Sequence, residues 1–287
     1  MPALIDLRRR IKSVRNTQQI TQAMKTVSTA KFKKTQRLVL ESRPWWHTYP
    51  EFAGRLARWL GPQAHPLLEQ REEKRVHGVV LTSDKGLCGA FNSNLLAAAH
   101  KFFDDKALTA DVRLTLIGKK AVSYFRRQPF PVERTVSEKV DKLTIPDLRE
   151  MARGLMRRFV FYRTDAVYVA YNEFKSILAP RVMILKLLPV APADGAGDAL
   201  AWPPDWEPGA EALLKALLPL FVEHQFFHCY FESSAAEQAA RMMAMDNATQ
   251  NAEDLIGRLV LYLNKIRQAS ITKELLEIMT AVEALAK

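Results

Sequence analysis

Apolar residues recur along the first forty positions at a helical spacing. Leu4, Leu7, Ile11 and Val14 stand 3, 4 and 3 apart, and Ile20, Met24 and Val27 resume at 4 and 3 after a shift. That alternation draws a seam along one side of a long α-helix. Residues 3–43 hold neither Pro nor Gly and are rich in Lys, Arg, Gln, Ala and Met, all good helix formers. Gln18 and Thr21 read as polar breaks in the seam. Pro44 and Pro50 leave the helix end open, and EFAGRLARWL reads as a kinked continuation to Leu60.

The end of the chain shows the same pattern at greater length. Residues 220–287 contain no Pro and a single Gly, Gly257. Ala252, Leu255, Leu259, Tyr262, Ile266 and Ala269 alternate at 3 and 4, and Ile271, Leu275, Ile278, Val282 and Leu285 resume after a break. Ala235, Ala239, Ala240, Ala244 and Ala248 offer a small-residue face on which another helix can lie close. Such a helix would span roughly 100 Å at ~1.5 Å per residue, more than a compact domain covers. Both terminal helices join the same middle region, so the short way to bury both seams is an antiparallel pair within the chain. The C-terminal helix is the longer one. Its seam from Ile271 to Leu285 is therefore expected to project as an apolar tip that another protein covers.

Between the helices the period changes. VHGVVLT, VRLTLIG (112–118), AVYVAY (166–171) and RVMILKLLPV (181–190) read as four strands. An apolar helix opens near Leu95, and DLREMARGLMRRFVFY (147–162) is amphipathic. Strands alternating with helices predict an α/β layer with a mainly parallel sheet. Pro, Gly and Asp crowd residues 191–209 into a linker. The expected organisation is a coiled-coil helix over 1–60, an α/β domain over 75–190, the linker, and a second coiled-coil helix over 210–287.

Charge adds an asymmetry. The net +11 is concentrated at the start: residues 1–43 carry +9, residues 44–219 +5, and residues 220–287 −3. A basic helix suits an acidic protein surface, an anionic lipid or a nucleic acid, and a solvated face accounts for it as well. No run approaches the 18 apolar residues of a membrane span, and MPALIDLRRRIK lacks the apolar stretch of a secretory signal. Cys88 and Cys229 are isolated thiols, which make neither a disulfide framework nor a zinc site.

Chemistry-bearing motifs are sparse. SDKGLCGAFNSN joins a strand to a helix as phosphate-cradling loops do, but it lacks both the P-loop and the dinucleotide-binding glycine patterns. Gly86 and Gly89 there read as turn and packing residues. His224 and His228 stand at i, i+4 without the Glu of a zincin motif, and Asp104/Asp105 and Glu253/Asp254 read as solvated faces. No catalytic residue, metal or cofactor is expected. Two other classes stay open on the residues alone: a basic coiled-coil protein that binds nucleic acid or acts as a scaffold, and a nucleotide-using α/β enzyme with helical extensions. The acidic C-terminal helix weighs against the first and the missing phosphate motifs against the second.

Four stretches in order carry a resemblance. LRRRIKSVRNTQQITQAMKTVSTAKFKK (7–34), TSDKGLCGAFNSN (82–94), VAYNEFKS (169–176) and ESSAAEQAARMMAMDNATQNAEDLI (232–256) with LNKIRQASITKELLEIM (263–279) resemble the gamma subunits of bacterial F-type ATP synthases. Ala236, Leu263 and Trp206 depart from the residues that family usually has, and a Gly-Ala step common there is missing near Ala281. The fold this resemblance implies is a central Rossmann-like domain with a long antiparallel coiled coil of the two terminal helices. The function it implies is that of a non-catalytic rotor shaft, one copy per complex, coupling ion flow to ATP synthesis. Its partners would be the alpha and beta subunits of the head, the epsilon subunit and the ring of c subunits, with no nucleic acid. The complex would lie at the bacterial inner membrane, with this chain peripheral to it on the cytoplasmic side. By motif match, Met24, Lys25, Arg241, Arg267, Gln268 and Thr272 would contact the head, and Trp206 and Glu207 would belong to the foot near the c ring.

Overall fold

The computed structural model describes residues 2–61, 63–137, 140–176, 181–191, 207 and 209–285, with side chains left aside at 2–3, 42–60 and 283–285. It divides into two compact units, Met1–Ser28 with Met242–Lys287, and Thr29–Arg241. Two helices contribute to both, α1 (Pro2–Leu60) and α5 (Ala210–Leu285).

The larger unit is built on a five-stranded sheet. In chain order its elements are β1 (Arg75–Leu81), α2 (Phe91–Ala107), β2 (Asp111–Ile117), α3 (Lys119–Phe125), β3 (Val132–Val136), α4 (Ile145–Val160), β4 (Ala166–Glu173) and β5 (Arg181–Leu188). The strands lie in the order β3-β2-β1-β4-β5. The β1–β2, β1–β4 and β2–β3 pairs are parallel, and β5 runs antiparallel to β4. The mainly parallel α/β layer expected from the alternation is therefore present. Sequence reading stopped at four strands and omitted α3 and β3. β3 is an edge strand whose five residues are mostly exposed, so VERTV carries no apolar signal.

Alternation sorts the side chains of the central strands between two cores. Val79, Leu81, Ile117, Val167 and Val169 pack with Leu148, Phe159, Val222 and Phe226 from α4 and α5. Val76, Val80, Leu114 and Leu116 pack with Leu95, Phe103, Ala121 and Phe125 from α2 and α3. Gly78 belongs to the second face because nothing larger fits: a Cβ there would lie 2.4 Å from the Phe103 ring and 2.7 Å from Leu114. Helix α4 begins with a capping box, in which Thr144 and Asp147 exchange side-chain and backbone hydrogen bonds. Its Leu148, Met151, Ala152, Leu155, Met156 and Phe159 then face the sheet at helical spacing.

The long helices continue across their internal prolines. α1 runs through Pro44 and Pro50, and α5 starts ahead of Pro219. A proline inside a helix removes one hydrogen bond and costs about 3 kcal/mol. At Pro219 the burial of Leu214, Leu218, Phe221 and Val222 on either side offsets that penalty.

In the smaller unit, the stretches of α1 and α5 run antiparallel. The Thr21 and Thr249 hydroxyls are 2.8 Å apart, and Lys25 Nζ lies 2.6 Å from Asp246 Oδ1, so numbers rise on one helix as they fall on the other. The inward positions of α1 are Leu4, Leu7, Ile11, Val14, Gln18, Thr21, Lys25 and Ser28, an unbroken heptad. Those of α5 are Met245, Thr249, Ala252, Ile256, Leu259, Leu263, Ile266 and Ser270. This corrects the seam read from the sequence. Gln18 and Thr21 lie within it, whereas Ile20 and Val27 are 60% and 57% exposed. Leu255, Tyr262 and Ala269 likewise lie outside it. Thr21 and Lys25 are tolerated there because each finds a partner across the pair, Thr249 and Asp246.

Candidate functional site: the Arg241 loop and the C-terminal helix end

The loop after β1 is closed by its own side chains. Ser83 donates its hydroxyl to the Lys85 carbonyl at 2.7 Å, and Asn92 Oδ1 accepts from the Ser83 amide at 3.1 Å. Asp84 accepts from the backbone amides of Lys119 and Val140, both at 3.0 Å. Leu87 and Gly89 adopt positive φ of 61° and 55°, so Gly89 serves a turn, while a Cβ on Gly86 would meet only the end of Lys120. The loop is tied to α5 through two of its carbonyls. It turns the carbonyls of Lys85 and Gly86 toward Arg241, whose guanidinium reaches them at 3.3 and 3.4 Å. These two carbonyls are thus taken up in holding the arginine.

Arg241 is 7% exposed and also donates to Glu237 at 2.7 Å, one turn earlier on α5. Burial raises the Glu237 carboxyl above its ordinary value, and Arg241 works against that. Beside this clamp, Ala235, Ala236 and Ala239 are all but fully buried against Phe32, Phe91 and Phe174. The alanine-rich stretch thus brings α1 and the loop together on α5. Glu232, also buried, accepts from the Phe174 amide at 2.7 Å. Its other oxygen lies 3.6 Å from His228 Nε2, while His224 one turn away is exposed. Among the described residues no three His, Cys, Asp or Glu side chains are placed to hold a metal ion.

The remaining sequence-selected residues belong to the smaller unit. Met24 and Lys25 are half-buried, Lys25 against Asp246. Arg267, Gln268 and Thr272 are exposed, and the Thr272 hydroxyl donates to the Gln268 carbonyl at 3.0 Å. Every described side chain from Ile271 onward is exposed. Ile271, Leu275, Ile278 and Val282 are 50–61% exposed, and Leu276 and Met279 join them at 58% and 68%. Those last two were not singled out in the sequence, because they lie off the heptad; the exposed end is apolar on more than one side. The side chain of Leu285 and all of Trp206 lie outside the described residues, and Glu207 is exposed.

The α/β layer holds charge clusters that sequence reading missed, since their members are far apart in the chain. Glu223, 2% exposed in its side chain, accepts from Arg153 at 2.7 Å and Arg149 at 3.1 Å. Glu73 receives Lys106, Lys186 and Tyr168 at 2.6–2.8 Å. Burial alone would raise the Glu73 carboxyl, but those three donors outweigh it and hold it at about 2.

A sequence profile of the family described as ATP synthase matches residues 3–285. The ATP synthase gamma chain of Pelotomaculum thermopropionicum is 41% identical over 285 residues, covering 99% of this chain and 100% of the relative. That of Solibacter usitatus is 42% identical over 291 residues, covering 99% of each. The chain belongs to the ATP synthase gamma-chain family. Membership makes it a subunit of an ATP synthase, a membrane-associated complex. Among the described residues no helix is long and apolar enough to cross a membrane. Gamma-chain architecture is also the fold found in solved assemblies. A chain in the Euglena gracilis mitochondrial ATP synthase, in the part comprising OSCP, F1 and c-ring, superposes with a TM-score of 0.72 at 19% identity, covering 99% of this chain and 95% of that one. A chain in the Tetrahymena thermophila mitochondrial ATP synthase central stalk and c-ring gives 0.61 at 24% identity, over 80% and 99%.

Proposed function

We propose that this gamma chain is the central rotor shaft of a bacterial F-type ATP synthase. It turns with the c ring and with the epsilon subunit. Its coiled coil turns inside the head of alpha and beta subunits, and so couples ion flow to ATP synthesis or hydrolysis. It makes no bond in the reaction itself and is present once per complex. It is peripheral to the inner membrane on the cytoplasmic side.

The observation that carries this reading is the end of α5, where Ile271, Leu275, Ile278 and Val282 are all at least half exposed. An apolar end of that extent calls for a protein cover. Apolar contact is non-directional, so a tip that turns in such a cover meets no fixed polar stop. The shaft must also resist fraying, since one charge crossing 100 mV supplies about 2.3 kcal/mol and several act per ATP. The continuous heptad from Leu4 to Ser28 against Met245 to Ser270 supports that stiffness.

In this reading Met24, Lys25, Arg267, Gln268 and Thr272 contribute to the rotor–head contact, and Leu285 continues the tip. Trp206 and Glu207 belong to the foot beside the c ring. Arg241 contributes differently from the other five: it holds the loop at Lys85 and Gly86 to α5, and so transmits torque between shaft and α/β layer. Co-expression with the alpha and beta subunits tests the reading. A complex with three copies of each larger subunit and one of this chain supports it. In the whole synthase, with the c ring in a membrane, Gln268→Leu and Thr272→Val should lower ATP-driven ion pumping while leaving thermal stability unchanged. Failure of the chain to join alpha and beta would refute the reading.

A further inference from the structure

We propose that the cavity between β1, β2, β3 and α4 in the larger unit binds a small amphipathic carboxylate, one ring or a short chain bearing a single anionic group. The cavity measures about 240 Å³ and opens past Arg134 and Arg158, which are partly exposed. An apolar cavity of about 150 Å³ accepts benzene, so this one has room for a ring with a charged substituent.

Three independent features point to an occupant. The first is His77, 2% exposed on the cavity wall. Its Nε2 lies 2.8 Å from the Thr115 hydroxyl, but its Nδ1 makes no hydrogen bond, and Glu133 Oε2 is 3.7 Å away. When Thr115 donates to Nε2, the ring proton sits on Nδ1, which becomes a buried donor in need of an acceptor. The second is Gly154, in the middle of α4 and also on the wall. A Cβ built there meets nothing within 4 Å, so packing does not require glycine. Glycine weakens a helix relative to alanine, and its presence here keeps space that a larger side chain would fill. The third is charge. Two arginines of the wall, Arg158 and Arg134, stand against one carboxylate, Glu133, which pairs with Arg158 and, outside the wall, with Arg113, itself shared with Asp111. The other acid at the mouth, Glu150, is 70% exposed and 4.0 Å from Arg134, too far and too wet to neutralise it. The mouth is thus positive while Ile117, Leu155 and Phe226 make the inner wall apolar. A carboxylate accepting from His77 Nδ1 and the guanidinium groups, with its hydrocarbon part on that wall, matches each side. The proposal does not depend on the rotary reading.

Nuclear magnetic resonance of the full-length chain, labelled with ¹⁵N, tests it with benzoate as the probe. Inorganic phosphate and benzyl alcohol represent the anionic and apolar halves alone. Benzoate should shift the His77 imidazole nitrogens and the Gly154 amide saturably, and benzyl alcohol should bind at least roughly tenfold more weakly. Gly154→Leu should abolish the shifts by filling the cavity. Arg134→Gln, at a half-exposed side chain, should weaken binding roughly tenfold without perturbing the fold, and it stands as the test if Gly154→Leu does not fold. Absence of saturable shifts at His77 and Gly154 overturns the proposal. So does an equal response to phosphate, which would mean a surface anion site, or unchanged benzoate binding in Arg134→Gln or in a folded Gly154→Leu variant.

Discussion

Replacing Leu275 and Ile278 together by serine separates the two demands on the end of α5. These side chains are 55% and 60% exposed, so they contribute little to the fold of the chain itself. Full burial of such a side chain is worth about 1.5–3 kcal/mol, and a socket that covers the exposed share recovers rather more than half of that per residue. The double variant should therefore lose about 2–3 kcal/mol of docking energy, roughly a 30- to 150-fold weaker association with the head. The chain's own stability should change by less than about 0.5 kcal/mol, as for other exposed positions. Circular dichroism melts of the isolated chain measure the second quantity. Titration of the chain into a limiting amount of alpha and beta subunits, read by native mass spectrometry, measures the first. Unchanged association would show that the apolar end is not what the head holds. A large drop in the melting midpoint would show that these residues belong to the chain's own core.

Removing Arg241 should act on the fold instead. Arg241→Met leaves Glu237 without its guanidinium and the Lys85 and Gly86 carbonyls without that donor, at a cost of about 2–4 kcal/mol in urea unfolding. Adding Glu237→Gln should recover part of the loss. Glu73 should govern an acid transition. Its folded carboxyl titrates at about 2 against an ordinary 4.5, so its stabilisation is complete above pH 4.5 and fades as pH falls toward 2. Glu73→Gln should cost about 1–2 kcal/mol at neutral pH, moderated by solvent screening, and its unfolding curve should merge with that of the parent chain across that window. Gly78→Ala drives a methyl into Phe103 and Leu114 and should destabilise by about 1–3 kcal/mol, seen as a lower thermal midpoint.

Periodicity and helix length were legible along the chain because they are local. The 3,4 spacing, the lack of Pro and Gly in residues 3–43, and the greater length of the C-terminal helix announce an antiparallel pair with an unequal end. So does the alternation of strands and helices that builds a mainly parallel sheet. Register was not legible. Ile20 and Thr21 are neighbours, and hydrophobicity favours Ile20 for the seam, yet Thr21 takes it because Thr249 stands opposite with a hydroxyl to share. Arg241 stood among the expected head contacts by motif match alone. Its partners at Lys85 and Gly86 lie more than 150 residues away, and only the fold brings those carbonyls to it. The same holds for His77, Glu133 and Arg158, which come from β1, β3 and α4 and share a cavity wall only once the sheet is formed. The chain by itself determined the two long helices and the four apolar strands, since these follow from spacing of a few residues, but not the short α3, the exposed edge strand β3 or the exact seam of the long helices. Which polar groups meet, and therefore which are buried without penalty, was decided by tertiary structure, because a partner for a buried charge or hydroxyl has to be found across the fold.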